Sequence, residues 1–200
     1  MIPDDAKICI GFDHAVSGRD ESVAFVGALI PGLDVRGQEA IVLCEHEVRA
    51  WLNTLIYDQV SEITQLYPRA SYCVDATAEG GKECLGYFER ARVEVVGMDL
   101  GKAKQTLMIK LKNSMQRGLF RFNDERLRVQ LSNYKFQESK TKKGHYRYGE
   151  PGTPDDRVDA AALANYLAVE LRGNQNLGFH DFTVYFDNRT RTISKRQSAS

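Results

Sequence analysis

The sequence predicts a mixed α/β domain: one five-stranded sheet with three antiparallel and two parallel strands, flanked by helices and carrying an added basic β-hairpin. Three observations predict it. Residues 7–48 hold three apolar stretches separated by short turns, the pattern of an antiparallel meander. Residues 52–117 then alternate helical and strand periods, which requires parallel pairing through right-handed crossovers. The 200 residues, 42% hydrophobic and 27% charged, suffice for one well-buried core and hardly for two.

The elements follow in order. Lys7–Phe12 alternates and runs into Asp13, a strand ending at an acid. Ser22–Ile30 is the second strand after the polar turn around Gly18, and Pro31-Gly32 with Gly37 mark the next turn. Glu39–Val48 alternates again as the third strand. Leu52, Leu55, Ile56, Val60, Ile63 and Leu66 then repeat at three and four residues, a helix that Pro68 ends. Ala70–Val74 is a short buried strand stopped by Asp75. Gly80-Gly81 leads into a helix over Lys82–Arg90, Val93–Met98 is the fifth strand, and Lys104–Arg117 is a helix closed by Gly118. Leu127–Tyr134 reads as helical, and Tyr134–Gly149 as a hairpin with the basic tip Ser139–Gly144. Val158, Ala161, Ala162, Asn165, Tyr166 and Val169 mark a last helix whose alanines allow close packing. Phe182–Phe186 reads as a final strand. The domain is expected over 1–187, and the polar, basic residues 188–200 as a frayed, disordered tail.

Composition excludes several classes. The chain is neither low-complexity nor disordered in character, and its longest apolar runs, such as Val23–Ile30, are far too short to span a bilayer, so no membrane partner is expected. Cys9, Cys44, Cys73 and Cys84 lie in apolar settings without C-x-x-C spacing and read as buried thiols in a reducing compartment. Net charge is zero, with 27 basic and 27 acidic residues, yet Lys102–Arg147 holds 13 Lys and Arg against only Asp124, Glu125 and Glu138. One face therefore suits a polyanion.

The acids fall where a mixed sheet builds its site. Asp13 follows the first strand, Asp75 follows the fourth, and Asp155-Asp156 open the late helix. With the first and fourth strands adjacent, Asp13 and Asp75 become neighbours at their C-terminal ends, within reach of Asp156. Converging carboxylates without cationic partners repel one another unless cations neutralise them, and hard oxygen ligands suit two Mg²⁺ or Mn²⁺ ions competent for phosphodiester cleavage. Each acid singly also fits a turn or N-cap, so the reading rests on joint placement.

These residues carry a resemblance. G-F-D-H-A-V-S-G-R-D-E-S-V-A-F-V-G, S-Y-C-V-D-A-T-A-E-G-G, K-Q-T-L-M-I-K-L-K-N-S-M-Q-R-G-L-F-R-F and G-E-P-G-T-P-D-D-R-V-D-A-A-A-L-A resemble, in order and spacing, the C-terminal nuclease domain of viral, phage-type terminase large subunits. The resemblance covers roughly residues 6–170, and the D-D-x-V-D-A-x-A-L-A block is its most specific part. It implies an RNase H-like fold and cleavage of concatemeric viral DNA with two Mg²⁺ or Mn²⁺ ions. Asp13, Asp75 and Asp156 are then the catalytic metal carboxylates, with Asp155 as an auxiliary ligand. The implied partners are double-stranded DNA, a terminase ATPase domain, the small terminase subunit and the portal, in the cytoplasm of an infected host. Two departures stand out: Pro154 occupies the place where many relatives carry His, and no G-x-x-x-x-G-K-[ST] motor motif is present. The second favours an excised nuclease domain over a small relative that works without its own motor.

Further residues have two readings each. Asp20 supports the metal site or simply makes a turn. Asp159, three residues after Asp156 and so on nearly the same helix face, backs the ligands or suits the helix dipole. Lys104 contacts a phosphate or solvates a helix start. Lys140, Lys142 and Lys143, flanked by Tyr134, Tyr146 and Tyr148, either bind DNA or blunt an exposed strand edge. His14 points away from Asp13 and is left out. Nothing resembles a base-reading helix, so low sequence specificity is expected. The rival readings are a Holliday-junction resolvase-like nuclease, a non-catalytic packaging module that binds DNA or the motor, and a Rossmann-type phosphate loop, whose glycine spacing is wrong.

Overall fold

A computed structural model describes residues 6–15, 21–134, 136–138, 146–148, 154–173, 183–187 and 192–196. The expected meander is β1 (Lys7–Asp13), β2 (Ser22–Leu33) and β3 (Glu39–Trp51), paired antiparallel. After α1 (Ile56–Leu66) come β4 (Ser71–Asp75), α2 (Ala78–Arg90), β5 (Glu94–Met98) and α3 (Leu100–Gln116). β4 pairs parallel with both β1 and β5, as the alternation of helix and strand requires. β6 (Phe120–Arg121), α4 (Glu125–Asn133), β7 (Phe136–Glu138), β8 (Tyr146–Tyr148) and α5 (Asp156–Gly173) complete the body. β7 and β8 form the expected hairpin; its tip, residues 139–145, lies outside the described residues. β9 (Thr183–Asp187) pairs antiparallel with β10 (Thr192–Arg196).

The main sheet has six strands rather than five, in the order β5-β4-β1-β2-β3-β6. The extra strand is two residues long, too short for any periodicity to announce. It exists because Gly118, at φ +70°, turns the chain out of α3 and sets Phe120 beside Leu43 on β3. The first helix also starts later than expected. Leu52 and Leu55 precede it and are exposed, and α1 buries Gln59, Val60, Ile63 and Thr64 instead.

Two cores explain the apolar runs of β1, β2 and β4, which are covered on both faces. On one face Ile10, Phe12, Ala24, Val26, Tyr72 and Val74 pack against Val60 and Ile63 of α1 and Cys84 and Phe88 of α2. On the other, Cys9, Val23, Phe25 and Cys73 pack against α3 and α5 through Leu107, Leu111, Val158 and Leu163. Three of the four cysteines are buried as expected, Cys44 only partly, and all four are free thiols. Among the described residues no helix is long and apolar enough to cross a membrane.

Helix α5 lies on β1 at almost zero clearance. A Cβ added at Gly11 would stand 1.9 Å from the Ala160 carbonyl oxygen and 2.5 Å from the Ala164 nitrogen. Only a glycine opposite small helix residues permits this contact. It also fixes what lies above. Asp13 is two residues beyond Gly11, about 6.6 Å along the strand. Asp156 is four residues before Ala160, about 6 Å along the helix in the same direction.

Candidate active site

The strand alternation that sends Phe12 and Val74 to the α1–α2 side sends Cys9, Gly11 and Asp13, with Cys73 and Asp75, towards α5. The parallel register sets Phe12 against Val74, so Asp13 and Asp75 follow at adjacent strand ends. Asp156 and Asp159 reach the same place from the first turn of α5. Burial pushes the Asp13 carboxyl well above its ordinary range, and the charges of Asp159, Asp75 and Asp156 push it further, with Lys104 opposing. The three aspartates expected to converge are therefore brought together.

Asp75 is aimed by its own turn. Its Oδ1 accepts a hydrogen bond from the Thr77 N–H at 2.8 Å and another from the Thr77 hydroxyl. The Thr77 Oγ1 in turn accepts from the Leu100 N–H at 2.8 Å, tying the site to the start of α3. The Ala76 N–H donates to the Met98 carbonyl. Gly81 lies so close to the Asp75 carbonyl, with an added Cβ 2.8 Å from it, that α2 must begin at the strand end. Ala78 pays for that tight turn with φ +56°, a left-handed conformation costly for any residue with a Cβ. Thr77→Val is expected to cost about 1–2 kcal/mol, since it strands the Leu100 N–H. If the metal role expected of Asp75 holds, the loss of this orienting hydrogen bond also weakens metal affinity by about tenfold. Thermal unfolding with and without added Mn²⁺ measures both.

Lys104 is not held out towards solvent. Its Nζ donates to Asp155 Oδ2 at 2.8 Å and to Asp159 Oδ2 at 2.7 Å, and its side chain is only 25% exposed. Burial works against the ammonium, but the charge on Asp159 and the hydrogen bonds to both carboxylates outweigh it and hold its pKa above the ordinary lysine value. Tyr134 lies within the field of the same cluster, at the end of α4 that leads into the hairpin. For Asp159, burial dominates despite the ammonium: its carboxyl is pushed up to about 7, with Asp155 and Asp75 adding to the effect.

The residue after Asp156 is clamped from three sides. Arg157, buried, donates to Asp124 Oδ2 at 3.0 Å, and pairs with Glu21 at 3.4 Å. Its backbone N–H donates to the Gln130 side chain. Asp124 is itself the N-cap of α4, accepting from the Leu127 N–H. The network sets the start of α5 against β2 and α4. Sequence reasoning passes over both Arg157 and Thr77: the partners of Arg157 come from distant segments, while Asp75-x-Thr77 is a local turn signal that could have pointed to Thr77. His14 faces the other side as expected: its Nδ1 lies 3.2 Å from Ser22 Oγ, and burial lowers its pKa against the charges of Glu83 and Asp75.

Among the described residues, no three acidic, histidine or cysteine side chains stand closed on a common point. The carboxylates are gathered, with Lys104 as the cation between two of them. Asp20, Lys140, Lys142 and Lys143 lie outside the described residues.

Neither a protein-family model nor a curated protein matches the chain. Solved structures do. The large terminase nuclease from thermophilic phage G20c is 21% identical with a TM-score of 0.68, over 82% of this chain and 84% of that one. It has also been solved with magnesium, cobalt or zinc bound. The large terminase nuclease domain of Thermus phage P74-26 is 20% identical with a TM-score of 0.62, over 82% and 80% of the two chains. The large terminase of a further thermophilic bacteriophage is 11% identical with a TM-score of 0.63, over 84% of this chain but only 41% of that one. The likeness shows the fold: this chain has the mixed α/β architecture of those large terminase nucleases, the RNase H-like fold that the resemblance implies.

Proposed function

We propose that the chain is a Mg²⁺- or Mn²⁺-dependent DNA endonuclease that cuts concatemeric viral DNA during genome packaging. One observation carries the reading: Asp13, Asp75, Asp156 and Asp159 are gathered at one end of the sheet, where their charges destabilise one another. Repulsion of that kind persists in a fold when a cation is to be bound there. The donor set fits hard divalent ions, since it is all carboxylate oxygen, with neither histidine nor thiol. Asp13 and Asp75 would hold one ion, and Asp156 with Asp155 a second. Such cations supply activation of the attacking water and neutralisation of the leaving oxygen.

The chain's own residues do the positioning. Thr77 aims Asp75, Arg157 sets the turn of α5 that carries Asp156, and Lys104 steadies Asp155 until a cation competes for it. The excess of basic residues over 102–147 supports double-stranded DNA as substrate, held by its backbone with low sequence specificity. An ATPase domain, the small terminase subunit and the portal are the proposed partners, in the cytoplasm of an infected host.

The test is plasmid cleavage by the purified chain with Mg²⁺, Mn²⁺, Ca²⁺ or EDTA, beside Asp75→Ala. Nicking and linearisation with Mg²⁺ or Mn²⁺, absent in EDTA and in the variant, is the expected result. DNA binding without cleavage under any ion would replace the reading with that of a packaging module that binds DNA or the motor. Cutting restricted to four-way junctions would replace it with that of a resolvase.

A further inference from the structure

The two margins of the main sheet differ. On one side the last strand, β6, is only two residues long and offers little to pair with. On the other, β5 runs for five residues and pairs with β4 alone. One hydrogen bond fixes where its free backbone groups point. The Ala76 N–H donates to the Met98 carbonyl at 2.8 Å, so Met98, and Val96 two residues before it, turn their N–H and C=O towards β4. Val95 and Gly97 turn theirs outward, where no strand among the described residues receives them. Exposed edges are usually blunted by lysine, proline or a bulge, and residues 95–98 have none of these.

Beside this edge the molecule is hollow. Val96 and Met98, with Ala103, Thr106 and Leu107 of α3 and Tyr166 of α5, line an apolar cavity of about 240 Å³. That is below the roughly 300 Å³ at which small-molecule pockets begin, and it suits one large apolar side chain. Lys110 closes one rim, 4.6 Å from the Tyr166 ring centre and paired with Glu170 at 2.8 Å. Helix α3 holds Lys102, Lys104, Lys110 and Lys112 and no acid. On its open face Lys102 and Lys112 flank Thr106 and Ile109, the last 49% exposed.

We propose that β5 is a docking edge for another protein: an extended, acidic segment of the partner adds to the sheet as a further strand and places one apolar side chain in the cavity. Each part of the surface selects part of that occupant. The outward N–H and C=O of Val95 and Gly97 select an extended polypeptide backbone, the cavity selects an apolar residue on it, and the lysines of α3 select acidic flanks. Duplex DNA would satisfy the lysines but neither the strand edge nor the cavity. The inference is independent of the nuclease reading.

The test presents the full chain to a random peptide library displayed on yeast. The most enriched peptide is synthesised, its affinity read by fluorescence anisotropy and its position by backbone-amide hydrogen exchange. An acidic peptide with alternating apolar residues is expected, and it should protect the Val95 and Gly97 amides. Thr106→Trp fills the cavity from an exposed helix position, and Val95→Pro removes an outward N–H. Each should weaken the peptide by at least about tenfold. Circular dichroism checks the fold, and Thr106→Trp carries the test alone if the proline variant does not fold. No enriched peptide, or one that protects other amides and binds Thr106→Trp as tightly as wild type, would overturn the proposal. Protection of α3 by a duplex oligonucleotide, with no peptide enriched, would replace it with a nucleic-acid surface.

Discussion

Asp13→Asn is expected to abolish cleavage and, in the absence of metal, to make the protein more stable. The two effects have one cause. Asp13 is a carboxylate whose charged form is disfavoured by burial and by Asp159, Asp75 and Asp156. Removing the charge relieves that repulsion but takes away a ligand common to the proposed chemistry. A loss of at least about a thousandfold in rate corresponds to roughly 4 kcal/mol of barrier. The gain in stability has a pH signature. Raised carboxyl values mean that the folded state holds protons that the unfolded chain releases. The associated stability is complete below the ordinary aspartate value of 3.8 and is lost as pH rises through the folded value, about 7 for Asp159. Metal-free protein should therefore melt several degrees lower at about pH 8 than at about pH 5, with a smaller difference in Asp13→Asn and in wild type saturated with Mg²⁺. A melting temperature independent of pH in the metal-free wild type would show that the acids do not repel one another.

Gly11→Ala should be the most damaging of the small substitutions. The added methyl would collide with the Ala160 carbonyl and the Ala164 nitrogen, both backbone atoms of α5. No rotamer change can relieve such a clash, so the helix must lift from the sheet. The cost is about 3 kcal/mol, at the upper end for overpacking. Because Asp156 and Asp159 ride on the same helix, metal affinity should fall together with stability. Urea unfolding and Mn²⁺ titration of the variant measure the pair. Normal stability and normal affinity together would mean that α5 is not seated on β1 as described.

Much of the site was legible before the fold. The apolar strands Lys7–Phe12 and Ala70–Val74 each run into an aspartate, and that local signal found Asp13 and Asp75. Lys104 shows where such reading stops. Its local context suggests a phosphate contact or a solvated helix start, yet its partners Asp155 and Asp159 lie 51 and 55 residues away. Nothing near Lys104 in the chain encodes them. Arg157 was missed for the same reason, its carboxylates being Glu21 and Asp124. Leu52 and Leu55 failed in the opposite sense: their spacing fits a helical face, but the chain there is still leaving β3, and both are exposed.

Taken alone, the sequence determined the succession of elements and the acids at their ends, because hydrophobic period, stop residues and turn residues act over a few positions. The tertiary structure alone decided which of those acids share a field and which is held by an ammonium. That choice depends on how α5 is rotated and how deeply it sits, and both are set by one contact, the Ala160 carbonyl on the bare backbone of Gly11. A glycine in a strand does not say what will lie across it. Only the helix that packs there does.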